Sequence, residues 1–162
     1  MPQVVVSEII MSGTAIVIMI LLTSYSHSLS QILMKSAAEA RLEEIAKSIE
    51  LEVQEVVDVA LSSSCRPCLV YKLLSIPKYV CDKGYYVEVR AQGQVLILHL
   101  ATIDEVWKTE LEATVPGAIL VTSGTFDGVQ AVERVYSGMK NVVVWCMVNA
   151  TGVYYGLGVL RG

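Results

Sequence analysis

The chain has 162 residues with a net charge of −4, only 17% of them charged, and a mean hydropathy of +0.55. That length suits one modest domain plus an extended element. The low charge content argues against disorder, the acidic balance leaves no basic footprint for nucleic acid, and the hydropathy points to membrane contact or burial between subunits.

The polarity is unevenly spread. Between Glu8 and Lys35 there is no charged residue, and residues 9–22 read IIMSGTAIVIMILL. With the uncharged, Ser-rich continuation TSYSHSLSQILM the segment reaches Met34. A spanning helix needs about 20 mostly apolar residues, so residues 1–34 form a spanning segment only with that polar extension included. The small residues Ser12, Gly13 and Ala15 would let another helix approach closely. From Lys35 the period becomes amphipathic. Leu42, Ile45, Ile49, Val53, Val56 and Ala60 recur at spacings of three and four, the spacing of one helical stripe. No proline separates the two parts. If residues 8–61 are one helix, it is about 80 Å long at 1.5 Å per residue. Residues 35–64 are thus the amphipathic continuation, ended by SSSCRP.

Residues 65–162 read as β-rich. The expected strands are 69–74, 85–91, 95–100, 105–111, 117–122, 129–136, 141–148 and 153–160. Residues 85–91 alternate, with Tyr86, Glu88 and Arg90 on one face and Tyr85, Val87, Val89 and Ala91 on the other. The turns at Gln92-Gly93-Gln94 and Asn149–Gly152 make hairpins of their flanking strands. Short strands with Gly-containing turns suggest a small sandwich or barrel, so the expected class is α+β: a long N-terminal helix followed by a small all-β, sandwich-like domain.

Candidate chemistry is sparse. The CRPC motif at Cys65 and Cys68 has three readings. A redox pair belongs at a helix start beside a βαβ unit, whereas this one follows a helix; a zinc site would recruit Cys81 and Cys146; structural disulfides among Cys65, Cys68, Cys81 and Cys146 would have three possible connectivities. Asn149-Ala150-Thr151 is an N-glycosylation sequon in an expected turn, or simply a polar turn. His99 reads as a strand residue with a satisfied hydrogen bond, and His27 has no metal-like neighbours. No catalytic triad, carboxylate pair, phosphate loop or metal motif is visible, so no enzyme activity, metal or cofactor is implied. Glu8 is the sharpest feature. An ionisable group at the edge of an apolar helix is a functional candidate; alternatively it is a favourable charge at a helix start, with Ser7 as N-cap.

An apolar helix with an early Glu, continuing into an amphipathic helix and ending in a β domain, resembles the type IV pilins. The run VSEIIM at residues 6–11 and the segment SIPKYVCDKGYYVEVRAQGQVLILHL at residues 75–100 are similar to archaeal type IV pilin-like proteins, archaellum components included. The resemblance implies a subunit that is inserted in the membrane, cleaved by a prepilin peptidase, and packed with identical subunits into an extracellular helical filament by the pilus assembly machinery. Apolar helices would form the core and β domains the surface, and the filament would serve adhesion. The core interface would then comprise Glu8, Ile9, Ile10, Met11, Ile16, Ile18, Ile20, Leu21 and Leu22, with Glu8 meeting a neighbouring subunit's N-terminus. Membrane and filament core are both apolar, so one segment serves both. The competing readings are a membrane-anchored accessory protein, such as an archaellum stator-like component whose β-sandwich binds an envelope protein, and a membrane-anchored binding module or enzyme.

Overall fold

The computed structural model describes residues 2–64, 66–92 and 95–161. One helix, α1 (Pro2–Ser62), is followed by ten strands: β1 (Cys68–Leu73), β2 (Tyr85–Gln92), β3 (Val95–Thr102), β4 (Lys108–Thr114), β5 (Ala118–Leu120), β6 (Gly124–Phe126), β7 (Val129–Ala131), β8 (Arg134–Tyr136), β9 (Val142–Val148) and β10 (Val153–Leu160). The class is α+β, as the sequence pattern implies. The chain divides into two compact units, Met1–Ala37 and Ala38–Gly162.

Pro2 stands at the first helical position, where its missing N–H costs no hydrogen bond. The helix ends where Ser62 turns its hydroxyl back onto the Val59 carbonyl at 2.9 Å and Ser63 N donates to the same oxygen at 3.2 Å. These bonds satisfy an acceptor that a helix end leaves without a partner.

In the C-terminal unit the strands form two sheets. One is six-stranded in the order β1-β9-β10-β7-β6, with β5 also on β10; the other is four-stranded in the order β4-β3-β2-β8. Strand β10 shares one edge between two partners: β5 runs parallel to its start and β7 antiparallel to its end. The main core joins the amphipathic stripe of α1 to the inner faces of both sheets. Leu42, Ile45, Ile49, Val53, Val56 and Ala60 are all buried, with Val87 and Leu98 from one sheet and Val144 and Leu157 from the other. The heptad-like spacing thus fixes which side of the helix faces inward. Exposed pairs one turn apart, such as Lys47 with Glu43 at 2.7 Å, occupy the outer side.

A second apolar cluster lies on the opposite face of the six-stranded sheet. Trp145 is fully buried there, stacks on Phe126 with ring centroids 4.7 Å apart, and donates its indole N–H to the Leu157 carbonyl at 3.1 Å. Gly156 and Gly158 leave room for that ring. A Cβ on Gly156 would strike the Val121 carbonyl, and one on Gly158 would meet the Trp145 ring and Val129.

Three β expectations need correction. Residues 129–136 are not one strand. They split into β7 and β8, which belong to different sheets, because Val132 N bonds to Leu157 O and the chain then crosses over. Strand β4 begins three residues later than expected, after the turn in which Glu105 takes a positive φ of 55°. Strand β6 was not expected at all; it is joined to β7 by Asp127-Gly128, with φ of 45° and 85°, the two positive values a type I′ hairpin turn requires.

Candidate interaction surfaces

In the N-terminal unit the side chains at Ile10, Met11, Ile16, Ile18, Ile20, Leu21 and Leu22 are all exposed, each by 51% or more. Ile9 belongs to α1, but its side chain lies outside the described residues. Glu8 is exposed at the edge of this apolar stretch. The helix is long and apolar enough to cross a membrane by length and composition, its most apolar window having a mean hydropathy of 1.5 and none of it buried. Polar side chains in the segment bond within their own helix. Thr14 Oγ1 donates to Ile10 O at 2.8 Å, Thr23 Oγ1 donates to Met19 O, and Gln31 Nε2 lies 3.0 Å from His27 Nε2. From Ile16 to Leu22 exposed apolar side chains occupy successive positions and so surround the helix rather than forming a stripe.

The C-terminal unit differs between its two outer faces. On the four-stranded sheet, the register aligns Arg134, Glu88, His99 and Glu110 in one row across all four strands. Glu88 is 3% exposed and sits between two arginines, one oxygen paired with Arg90 and the other with Arg134. Burial opposes its ionisation, but the hydrogen bonds and charges of Arg134 and Arg90 outweigh burial and hold its carboxyl below the ordinary glutamate range. The Arg134 guanidinium also lies over the Tyr86 ring, 4.4 Å from its centroid. His99 Nδ1 is 3.0 Å from Glu110 Oε1, so the expected hydrogen bond is present. The sequence already places Tyr86, Glu88 and Arg90 on one face; Arg134 joins them only through the distant β2–β8 pairing.

The outer face of the six-stranded sheet carries a different row. Leu69 of β1, Met147 of β9, Tyr154 of β10 and Ile119 of β5 are register partners across four strands. Ile119 is exposed and the other three are half-buried.

A cavity of about 550 Å³ opens between α1 and the segment after β1, with Ile45, Ile49, Ile76 and Val80 as apolar wall and Arg41, Glu44 and Ser48 on one side. Beside it Lys72 of β1 reaches α1, its Nζ 2.6 Å from both Glu52 and Glu55. The hydrogen bonds to Glu52 and Glu55 raise the Lys72 pKa above its ordinary value.

The disulfide expectation is corrected for the described cysteines. Cys68, Cys81 and Cys146 are free thiols, and Cys65 lies outside the described residues. Cys68 is opposite Val148, and Cys146 is opposite Val70, so the two thiols are diagonal neighbours rather than partners. Diagonal residues on adjacent strands lie about 7–8 Å apart, and a disulfide needs Cα atoms within about 7 Å. Burial, with a smaller contribution from Cys68, pushes the Cys146 thiol up to about 11, which keeps it protonated and inert. Cys81 is exposed in a turn with φ of 47°, on the surface rather than beside the buried Cys146.

Asn149 is half-buried in the turn between β9 and β10, with Ala150 and Thr151 exposed. Its Oδ1 accepts hydrogen bonds from Thr151 N at 2.8 Å, Thr151 Oγ1 at 2.6 Å and Gly152 N at 3.1 Å. Among the described residues, no group of three or more His, Cys, Asp or Glu side chains is placed to hold a metal ion.

Comparison of the chain with protein-family models, with curated proteins and with solved structures finds no match. What the geometry defines is therefore a class: an α+β chain with an apolar helix suited to a membrane or a helix bundle, joined to a twin-sheet unit with its own core.

Proposed function

We propose that the chain is the structural subunit of an extracellular, type IV pilus-like filament, with residues 4–34 packed against identical subunits and the β sheets outermost. One observation carries this reading. The C-terminal unit buries its helical stripe internally, while the aliphatic side chains from Ile10 to Met34 are left exposed by the described residues. A fully exposed apolar helix requires either lipid or other helices. Gly13 has open space where a Cβ would be, which suits the close approach of a second helix. Repetition of one heterologous contact gives an open fibre rather than a closed ring. Within such a core Glu8 would require a cationic or hydrogen-bonding partner, and a neighbouring subunit's N-terminus supplies one. Before assembly the same segment resides in the membrane. Adhesion is the role proposed for the finished fibre.

Electron microscopy of the purified full chain tests this reading. A helical polymer with residues 4–34 bundled at its axis supports it. A discrete, detergent-dependent monomer or small oligomer overturns it in favour of a membrane-anchored accessory protein.

A further inference from the structure

We infer that Asn149 carries an N-linked glycan, and that this glycan lies over the apolar row formed by Leu69, Met147, Tyr154 and Ile119. The inference uses export of the C-terminal unit, which the proposed function includes, but not polymerisation.

The first argument is the amide itself. Two backbone N–H groups, from Thr151 and Gly152, point at one atom of the Asn149 side chain. A backbone N–H can only donate, so the atom facing it is the carbonyl oxygen and the amide orientation is fixed by chemistry. Thr151 Oγ1 adds a third donor to that oxygen. Nδ2 is left without a hydrogen-bond partner among the described residues. The turn thus holds the acceptor nitrogen apart from its own backbone, and the neighbouring Ala150 and Thr151 are exposed. The transfer forms a bond from Nδ2 to the anomeric carbon of a lipid-linked oligosaccharide. The bond from that carbon to the lipid phosphate breaks, the polyprenyl phosphate departs with the electron pair, and Nδ2 loses one proton.

The second argument is the surface beside the turn. The Tyr154 ring runs beneath it, with the hydroxyl 3.0 Å from Thr151 Oγ1. From Tyr154 the apolar row continues to Met147 and Leu69 on one side and Ile119 on the other. The opposite sheet shows an outward row of charges, so an apolar outward row is a local property of this face. Sugar rings present C–H faces that stack on aromatic and aliphatic side chains, and hydroxyl edges that remain hydrated. A glycan rooted at Asn149 begins beside the two middle members of this row, Met147 and Tyr154, and has the amphipathic chemistry to cover it.

The experiment uses full-length protein from the cells that make it. Trypsin cleaves after Lys140 and Arg161 and releases residues 141–161, which are read by mass spectrometry. The expected result is a hexose- or hexosamine-containing addition at Asn149. It is lost in Asn149→Asp, which keeps the oxygen acceptor of the turn, and in Thr151→Ala, but kept in Thr151→Ser. The unglycosylated Asn149→Asp protein is further expected to bind a hydrophobic dye at least two-fold more strongly than wild type. An unmodified peptide from protein whose C-terminal unit is digested by protease on intact cells overturns the inference and leaves the filament reading standing. Protection of that unit on intact cells overturns both. A glycan whose loss leaves dye binding unchanged overturns the covering role.

Discussion

Residues 16–34 and residues 42–60 lie on one helix, and both are rich in aliphatic side chains. Only the second group buries a stripe of them. In residues 42–60 the aliphatics recur at three and four with charges between, so burying one stripe leaves charges such as Lys47 and Glu43 in water. In residues 16–34 the aliphatics occur on all sides and no charge intervenes, so no single face suffices. The difference shows that hydrophobic content does not determine where a helix belongs; the angular distribution of its polar groups does. A striped helix completes a domain, whereas an all-round apolar one needs a second phase or other chains.

The largest expected effect comes from breaking the first half. Ile18→Lys places a cation in the uncharged segment at about 2.5–3.5 kcal/mol for a mid-membrane position. Membrane fractionation and microscopy should show loss of the membrane-bound and polymeric forms, while the melting temperature of the C-terminal unit stays within about a degree. Breaking the second half should do the reverse. Ile49→Ala removes a side chain that is 2% exposed and should destabilise the C-terminal unit by about 2–5 kcal/mol in denaturant titration, leaving membrane partition unaltered. Equal effects of both substitutions on both readouts would erase the contrast.

Smaller effects sharpen the comparison. Lys72→Met removes the clamp that joins β1 to Glu52 and Glu55. It should lower the melting temperature of the C-terminal unit by less than Ile49→Ala does, because Lys72 is partly exposed and its attraction is screened by salt. Acid should act on the same unit. Glu88 is held below its ordinary range by Arg134 and Arg90, and Asp104 is lowered to about 2, chiefly by the hydrogen bond from Lys83. Groups whose folded pKa is depressed contribute stability that is present above the unfolded value and lost as pH falls toward the folded one. Thermal melts should therefore decline between roughly pH 4 and pH 2, and Glu88→Gln should flatten part of that decline.

The helix and its buried stripe were legible in the sequence because both rest on local spacing. So were β2, β3, β9 and β10, as short runs joined in pairs by turns, and the inward set Tyr85, Val87 and Val89, which follows from alternation along β2. The β6–β7 hairpin carries only half a signal: Asp127-Gly128 is a two-residue turn, but the flanking strands are three residues each and too short to alternate visibly. The division between β7 and β8 was not legible, since it depends on Val132 meeting Leu157 across the fold. The row through Glu88 was half visible for the same reason. Its members on β2 follow from alternation, whereas Arg134 is brought in by a pairing some forty-six residues distant. The cysteine pairing was not legible, since four cysteines allow three connectivities and only the strand register places Cys68 and Cys146 a step out of alignment.

The internal bonds of Thr14 and Thr23 carry a further consequence. Each hydroxyl donates to a carbonyl one turn earlier, so each takes its acceptor with it wherever the helix goes. Moving such a helix from lipid into a bundle of its own kind exchanges one set of hydrocarbon neighbours for another and leaves these two hydroxyls bonded throughout. For Thr14 and Thr23 the passage is therefore close to isoenergetic, and neither hydroxyl favours one environment over the other.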